Sequence, residues 1–226
     1  MAAPVAAMEL EELQDVTEHA PLRVEDATAQ KPGAQAQLSA ASRDDEGELG
    51  LVLRPQVSVG LPIEAELGLG VDTTLLSQSN SFGPVEGYAL KELVSEGSWS
   101  PALGVKATVM PPHEDVGFAS QLGLLATWSF GAATRAHVNA AYQPQNNAGD
   151  RFLVGVSADR VIASSLMLVG DVYYERMFDE AMSSIVSDIG AAVPLGEAVK
   201  LQGVAGVQRT PDGIAPRFLF GITASP

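Results

Sequence analysis

Ile63-Glu64-Ala65-Glu66-Leu67-Gly68-Leu69-Gly70-Val71-Asp72 decides the fold class. Every odd position is apolar, and every even position is charged or glycine. A β-strand sends successive side chains to opposite faces, so this stretch has one apolar and one polar face. Wound as a helix, the same residues would scatter around the whole circumference.

The rule repeats in both directions from there. Leu49, Leu51, Leu53, Val57 and Val59 alternate with Gly50, Arg54, Gln56, Ser58 and Gly60. Leu103, Val105, Ala107 and Val109 alternate with Gly104, Lys106 and Thr108. The pattern returns around Leu122–Phe130, Ala136–Tyr142, Phe152–Ala158 and Leu166–Tyr174, and last at Phe218–Ile222. About twelve such segments of roughly 9–11 residues can be marked, the length a tilted membrane-spanning strand needs. Two are less regular: Val85–Val94 breaks phase near Lys91-Glu92, and Ile185–Val193 is rich in small residues. Each segment can pair with the next as a hairpin, and an even count puts both chain ends on one side. Leu61-Pro62 and Gly131-Ala132-Ala133 read as tight turns on that terminal side. Residues 73–84, 111–118, 144–150 and 176–183 read as longer loops on the other side, while 95–100 and 160–165 are terminal-side connections that are not especially short. The expected fold is all-β: an up-and-down antiparallel transmembrane β-barrel of about twelve strands, occupying residues 33–226.

Composition limits the function. The formal charge of −15 argues against a nucleic-acid partner, since phosphate binding needs a basic face. The absence of cysteine removes disulfides and thiolate metal sites. Apolar residues make up 46% of the chain without any unbroken run long enough for a membrane helix, as expected when they are diluted one in two along strands. Glycines on the polar face, among them Gly60, Gly68, Gly104 and Gly155, suit a crowded lumen better than a soluble outer surface. Aromatics are only 6%, enough for a thin girdle near the strand ends from residues such as Trp99, Phe130, Tyr142, Phe152 and Phe178. Residues 1–32 read as an acidic lead-in. Within it, 1–7 is similar to the small-residue end of a signal peptide, with Val5 and Ala7 at the minus-three and minus-one positions.

Several stretches resemble the outer-membrane family named for the MetA pathway of phenol degradation. They are Pro21-Leu22-Arg23-Val24-Glu25-Asp26-Ala27 ahead of Pro32-Gly33, the hairpin Leu53–Leu67, Gly83-Pro84-Val85-Glu86-Gly87-Tyr88-Ala89-Leu90-Lys91, Pro101–Val105, and Asp171-Val172-Tyr173-Tyr174-Glu175. The resemblance runs from about Pro21 to Thr223. It implies a bacterial outer-membrane location and a transport role. The chain departs from the usual outer-membrane pattern in ending Ile222-Thr223-Ala224-Ser225-Pro226 rather than on an aromatic residue.

No enzyme motif is present: there is no phosphate-cradling glycine loop, no paired-histidine metal motif and no serine elbow. His113-Glu114-Asp115 reads as a solvated external loop rather than a cation site. His137, between Arg135 and Asn139 on the polar face, reads as part of a hydrogen-bond network. The functional candidates are the residues expected to line the lumen: Arg54, Glu64, Glu66, Lys106, Arg135, His137, Arg151, Asp159, Asp171, Tyr173, Glu175 and Arg217. They either brace a plugged lumen or set the selectivity of a narrow path. The expected partners are the lipid bilayer and a small solute, aromatic or hydrophobic compounds included, with no cofactor. A structural envelope barrel with a plugged lumen and a soluble lipocalin-like carrier with its apolar face inward are the alternatives.

Overall fold

A computed structural model describes residues 25–45, 48–75, 81–112, 117–144, 150–163, 165–178, 183–196, 198–211 and 213–225. Twelve antiparallel strands close on themselves: β1 (Gly33–Asp45), β2 (Glu48–Leu61), β3 (Ala65–Leu75), β4 (Ser81–Val94), β5 (Ala102–Met110), β6 (Ala119–Ser129), β7 (Thr134–Gln143), β8 (Arg151–Ala163), β9 (Leu166–Met177), β10 (Ser183–Pro194), β11 (Val199–Thr210) and β12 (Gly213–Ala224). Each strand pairs with its sequence neighbour, and β1 meets β12 to complete the barrel. That closing seam aligns six residue pairs, Ala36↔Ala224 to Ala41↔Leu219. The β1–β2 ladder aligns thirteen. Gln35 Nε2 adds a bond to Ser225 Oγ across the chain ends at 2.9 Å.

Alternation becomes sidedness. Val57, Leu67, Leu69, Leu122, Leu124, Val156, Val172 and Ile189 are exposed on the outer surface. Ser58, Glu66, Thr127, His137, Asp159, Asp171 and Gln202 are buried within the barrel. The apolar face is therefore outside, which corrects the lipocalin-like alternative, whose apolar face would be inside. Most exposed aromatics sit toward the two ends, Trp99 and Phe130 in terminal-side connections and Phe118, Tyr142, Phe152 and Phe178 at the opposite rim, while Phe218 and Phe220 lie between them on β12.

Irregularities fall where the pattern breaks. The phase error near Lys91-Glu92 is a shift of register between Glu92 and Val94 against β5. Leu93 and Val94 are consecutive and both exposed. A bulge inserts one residue into a strand, which lets two neighbours face the same way. The β2–β3 turn is three residues, 62–64, because Leu61 pairs with Ala65. Glu64 closes it with φ of 54°, the left-handed third residue that such hairpins use. The connection expected at 160–165 is shorter than the sequence suggested, since β8 runs to Ala163 and β9 begins at Leu166.

Candidate functional site: a clasped lumen

The lead-in does not stay outside the barrel. Residues 25–32 lie along the inner wall at the terminal-side end, passing from β7 by way of β5 and β6 to β2 and β3 before the chain turns into β1. Asp26 reaches Arg135 and Thr127, Lys106 Nζ meets the Glu25 carboxylate at 2.6 Å, and the Gln30 N–H donates to Glu66 Oε2 at 3.2 Å. Ser58 Oγ donates to Gln30 Oε1 at 2.8 Å, and Pro32 bridges Gly60. Ala27 is completely buried, packed with Leu90, Ala102 and Leu125.

Two glycines make room for this segment. A methyl group at Gly60 would collide with the carbonyls of Gln30 and Lys31. One at Gly104 would stand 2.5 Å from the Ala27 carbonyl oxygen. On β9–β12, beside the segment's wall, Met167, Val169, Ala192, Val204 and Leu219 form a buried apolar cluster on the inner face. The segment thus lines one side of the lumen toward the terminal-side end, and an apolar cluster lines the other.

The expected lumen residues fall into three groups. Glu66, Lys106, Arg135, His137 and Asp159 gather around the segment. Arg135 is the most deeply buried Lys or Arg among the described residues: Nη1 donates to Asp26 Oδ2 at 2.6 Å, and Nη2 to Asp159 Oδ2 at 3.2 Å. Glu66 accepts from the Tyr88 hydroxyl, and Tyr88 accepts from Gln56 Nε2 at 3.0 Å. Asp171, Tyr173 and Arg217 form a second group on β9–β12. Asp171 stands opposite Asp188 in register, and Arg217 bonds the Tyr173 hydroxyl at 2.8 Å and approaches Asp188 at 3.5 Å. Nearer the opposite rim, Arg54 pairs with Asp72 at 2.5 Å and Arg151 with Glu175 at 3.4 Å. The Arg54 side chain is 45% exposed and that of Arg151 36%, so this end of the lumen is wet.

Glu64 departs from the expectation. It lies in the β2–β3 turn, its side chain 63% exposed and 3.7 Å from Lys91 Nζ, because the three-residue loop takes it out of the strand phase. Sequence reasoning missed Asp26, Thr127, Leu125 and the whole luminal run of the lead-in. Glycines at Gly60 and Gly104, on the face that otherwise carries polar groups, were the available sign of a close backbone approach. His113–Asp115 lies outside the described residues, and no cluster of metal-ligating side chains occurs among the described ones.

Thr127, His137 and Asp159 make a hydroxyl–imidazole–carboxylate row, at 2.9 and 2.8 Å. It is not laid out for nucleophilic attack: Thr127 is 2% exposed, accepts the Ala27 N–H and directs its own proton at Asp26.

No family model and no curated protein matches the chain. Solved structures do match its fold. An outer-membrane channel from Pseudomonas putida F1 superposes with a TM-score of 0.73 at 8% identity, over 91% of this chain and 100% of that one. A KdgM porin in complex with disordered oligogalacturonate gives 0.68 at 10% identity, over 85% and 99%. The CymD monoaromatic hydrocarbon channel gives 0.53 at 7% identity, over 87% and 89%.

Proposed function

We propose that this chain is a bacterial outer-membrane barrel that admits a small solute through its lumen, without covalent chemistry or a cofactor. One observation carries the reading: an apolar belt of exposed side chains surrounds a charged, partly wet interior. In water, that belt would be an exposed apolar surface far beyond what soluble monomers carry. In a bilayer it is the surface a closed barrel needs, with aromatics at both rims and every backbone ladder paired internally. Small aromatic or hydrophobic compounds are the first solute class to test. Support comes from the resemblance to the phenol-degradation family and from the likeness to a channel named for monoaromatic hydrocarbons.

The test is solute-driven swelling of liposomes containing protein whose folding is verified by heat-modifiable electrophoretic migration. Small sugars and small aromatic carboxylates should swell them faster than empty vesicles. Folded barrels that give no swelling would overturn the channel reading. A chain that folds as a soluble monomer in detergent-free buffer would overturn the lipid-facing belt.

A sealed structural barrel is the second reading. The extensive ion pairing of the luminal charges and the segment at the terminal-side end favour it. It predicts no swelling from the intact chain.

A further inference from the structure

Five side chains from the luminal segment and three adjacent strands close a ring of hydrogen bonds around the segment's head. Thr127 Oγ1 on β6 donates to Asp26 Oδ1 at 2.9 Å. His137 on β7 contacts Thr127 Oγ1 through Nδ1 at 2.9 Å and Asp159 Oδ2 on β8 through Nε2 at 2.8 Å. Arg135 joins Asp159 to Asp26, at 3.2 and 2.6 Å, and so completes the circuit.

The protons of this ring can be counted. A hydroxyl has one proton to give and two lone pairs to receive with. The Thr127 proton goes to Asp26, and one of its lone pairs accepts the Ala27 N–H at 2.9 Å. Its contact with His137 Nδ1 is therefore satisfied only if Nδ1 carries a proton. Asp159 receives Arg135 at both oxygens, Nε to Oδ1 at 3.4 Å and Nη2 to Oδ2 at 3.2 Å, which keeps it an acceptor. Its contact with Nε2 then requires a second proton on the ring. A neutral imidazole has one N–H and cannot serve both contacts.

We infer that His137 is held as an imidazolium and that the ring is a proton-operated clasp on residues 25–32. Loss of one proton sets two lone pairs against each other inside a buried network, and the head of the segment loses its hold. Deprotonation is the opening event, so the clasp closes on the acid side and loosens on the alkaline side. The charged groups around His137 are Arg135 on its own strand, Asp159 on β8, and Asp26 and Glu25 on the segment. Lys106 on β5 is tied to Glu25, and Asp171 on β9 stands opposite Ser157. The inference goes beyond the transport reading, and both readouts below are taken without measuring transport.

The chain has no cysteine, so Thr28→Cys in the full-length protein, folded in detergent micelles, reports on the segment alone. Thr28 is buried, and both its backbone N–H and its side chain act on the Asp26 carboxyl, so every rate is compared within the Thr28→Cys background. Maleimide labelling is scaled at each pH to the same variant unfolded. It should speed up about tenfold between pH 6 and pH 8.5, the scale of one lost buried hydrogen bond. Nitrogen NMR of His137 at pH 6 should show both ring nitrogens protonated. Adding His137→Gln should make labelling fast at both pH values. Adding Thr127→Val removes the hydroxyl that demands the second proton and should also flatten the pH response, so the question stays answerable if His137→Gln does not fold. A neutral His137 ring at pH 6, or labelling that is equally slow at both pH values in the unaltered ring, would overturn the clasp.

Discussion

Arg135 concentrates the energetics of the lumen in one side chain. It is 1% exposed and answers two buried carboxylates, Asp26 and Asp159. Removing one partner of a buried ion pair costs roughly 3–5 kcal/mol, because the remaining charge is left without compensation. Arg135→Leu should therefore lower the temperature of the heat-modifiable gel shift sharply. Arg135→Lys should fall between the two, since an ammonium cannot reproduce the forked contacts. Asp26 gives a sign that can be checked. Burial alone would raise its carboxyl, but Arg135, His137 and the hydrogen bonds from Thr28 together outweigh that and hold it below the ordinary 3.8. A lowered folded-state value stabilises docking at all pH above the unfolded value, and that stability is lost as pH falls through the folded one. Hydrogen exchange at the Thr28 amide, corrected for its intrinsic rate, should stay protected at pH 3.8 and lose protection in stronger acid. Little of this was legible beforehand. Arg135 and His137 could be placed on the polar face by phase, but Asp26 belongs to no period, and only folding brings it 109 residues along the chain to Arg135.

At the scale of elements, the strands were readable because each side of the barrel's sheet imposes its own chemistry, and a period of two records that directly. The bulge at Glu92–Val94 was visible as a slipped phase for the same reason. Glu64 was misplaced because a turn that takes three residues looks, in sequence, like one more step of alternation. If the outer face meets lipid, Leu124→Arg on β6 should cost about 2–4 kcal/mol near the bilayer midplane and reduce the heat-modifiable fraction in liposomes. A neutral result would argue for water on that face. The luminal segment escaped notice because its residues bond to five different strands rather than to a neighbour in sequence. Gly104→Val tests its fit against β5. The barrel should still close, while Thr28→Cys becomes readily labelled at pH 6, because the branched side chain takes the space of the Ala27 carbonyl.

The chain as a whole carries a net formal charge of −15, and inside the barrel Asp171 and Asp188 face one another in register. Like-signed charge within low-dielectric walls raises the local concentration of the opposite ion. In planar bilayers, any current through the barrel should prefer cations at low salt. The preference should fade as ionic strength passes roughly 0.1 M, where screening becomes short-ranged. A reversal potential measured across a salt gradient reads this directly. Closure, the other molecular property, has a history as well as a shape. The six-pair seam between β1 and β12 joins the strand nearest the luminal segment to the last strand made. Strand β1 cannot be sealed until β12 exists, so residues 25–32 are best enclosed as the wall comes round them, like a ship built inside its bottle. Held by its N-terminus and pulled, such a molecule should yield in the reverse order: the segment slides free, the short seam parts, and the longer ladders unravel one hairpin at a time.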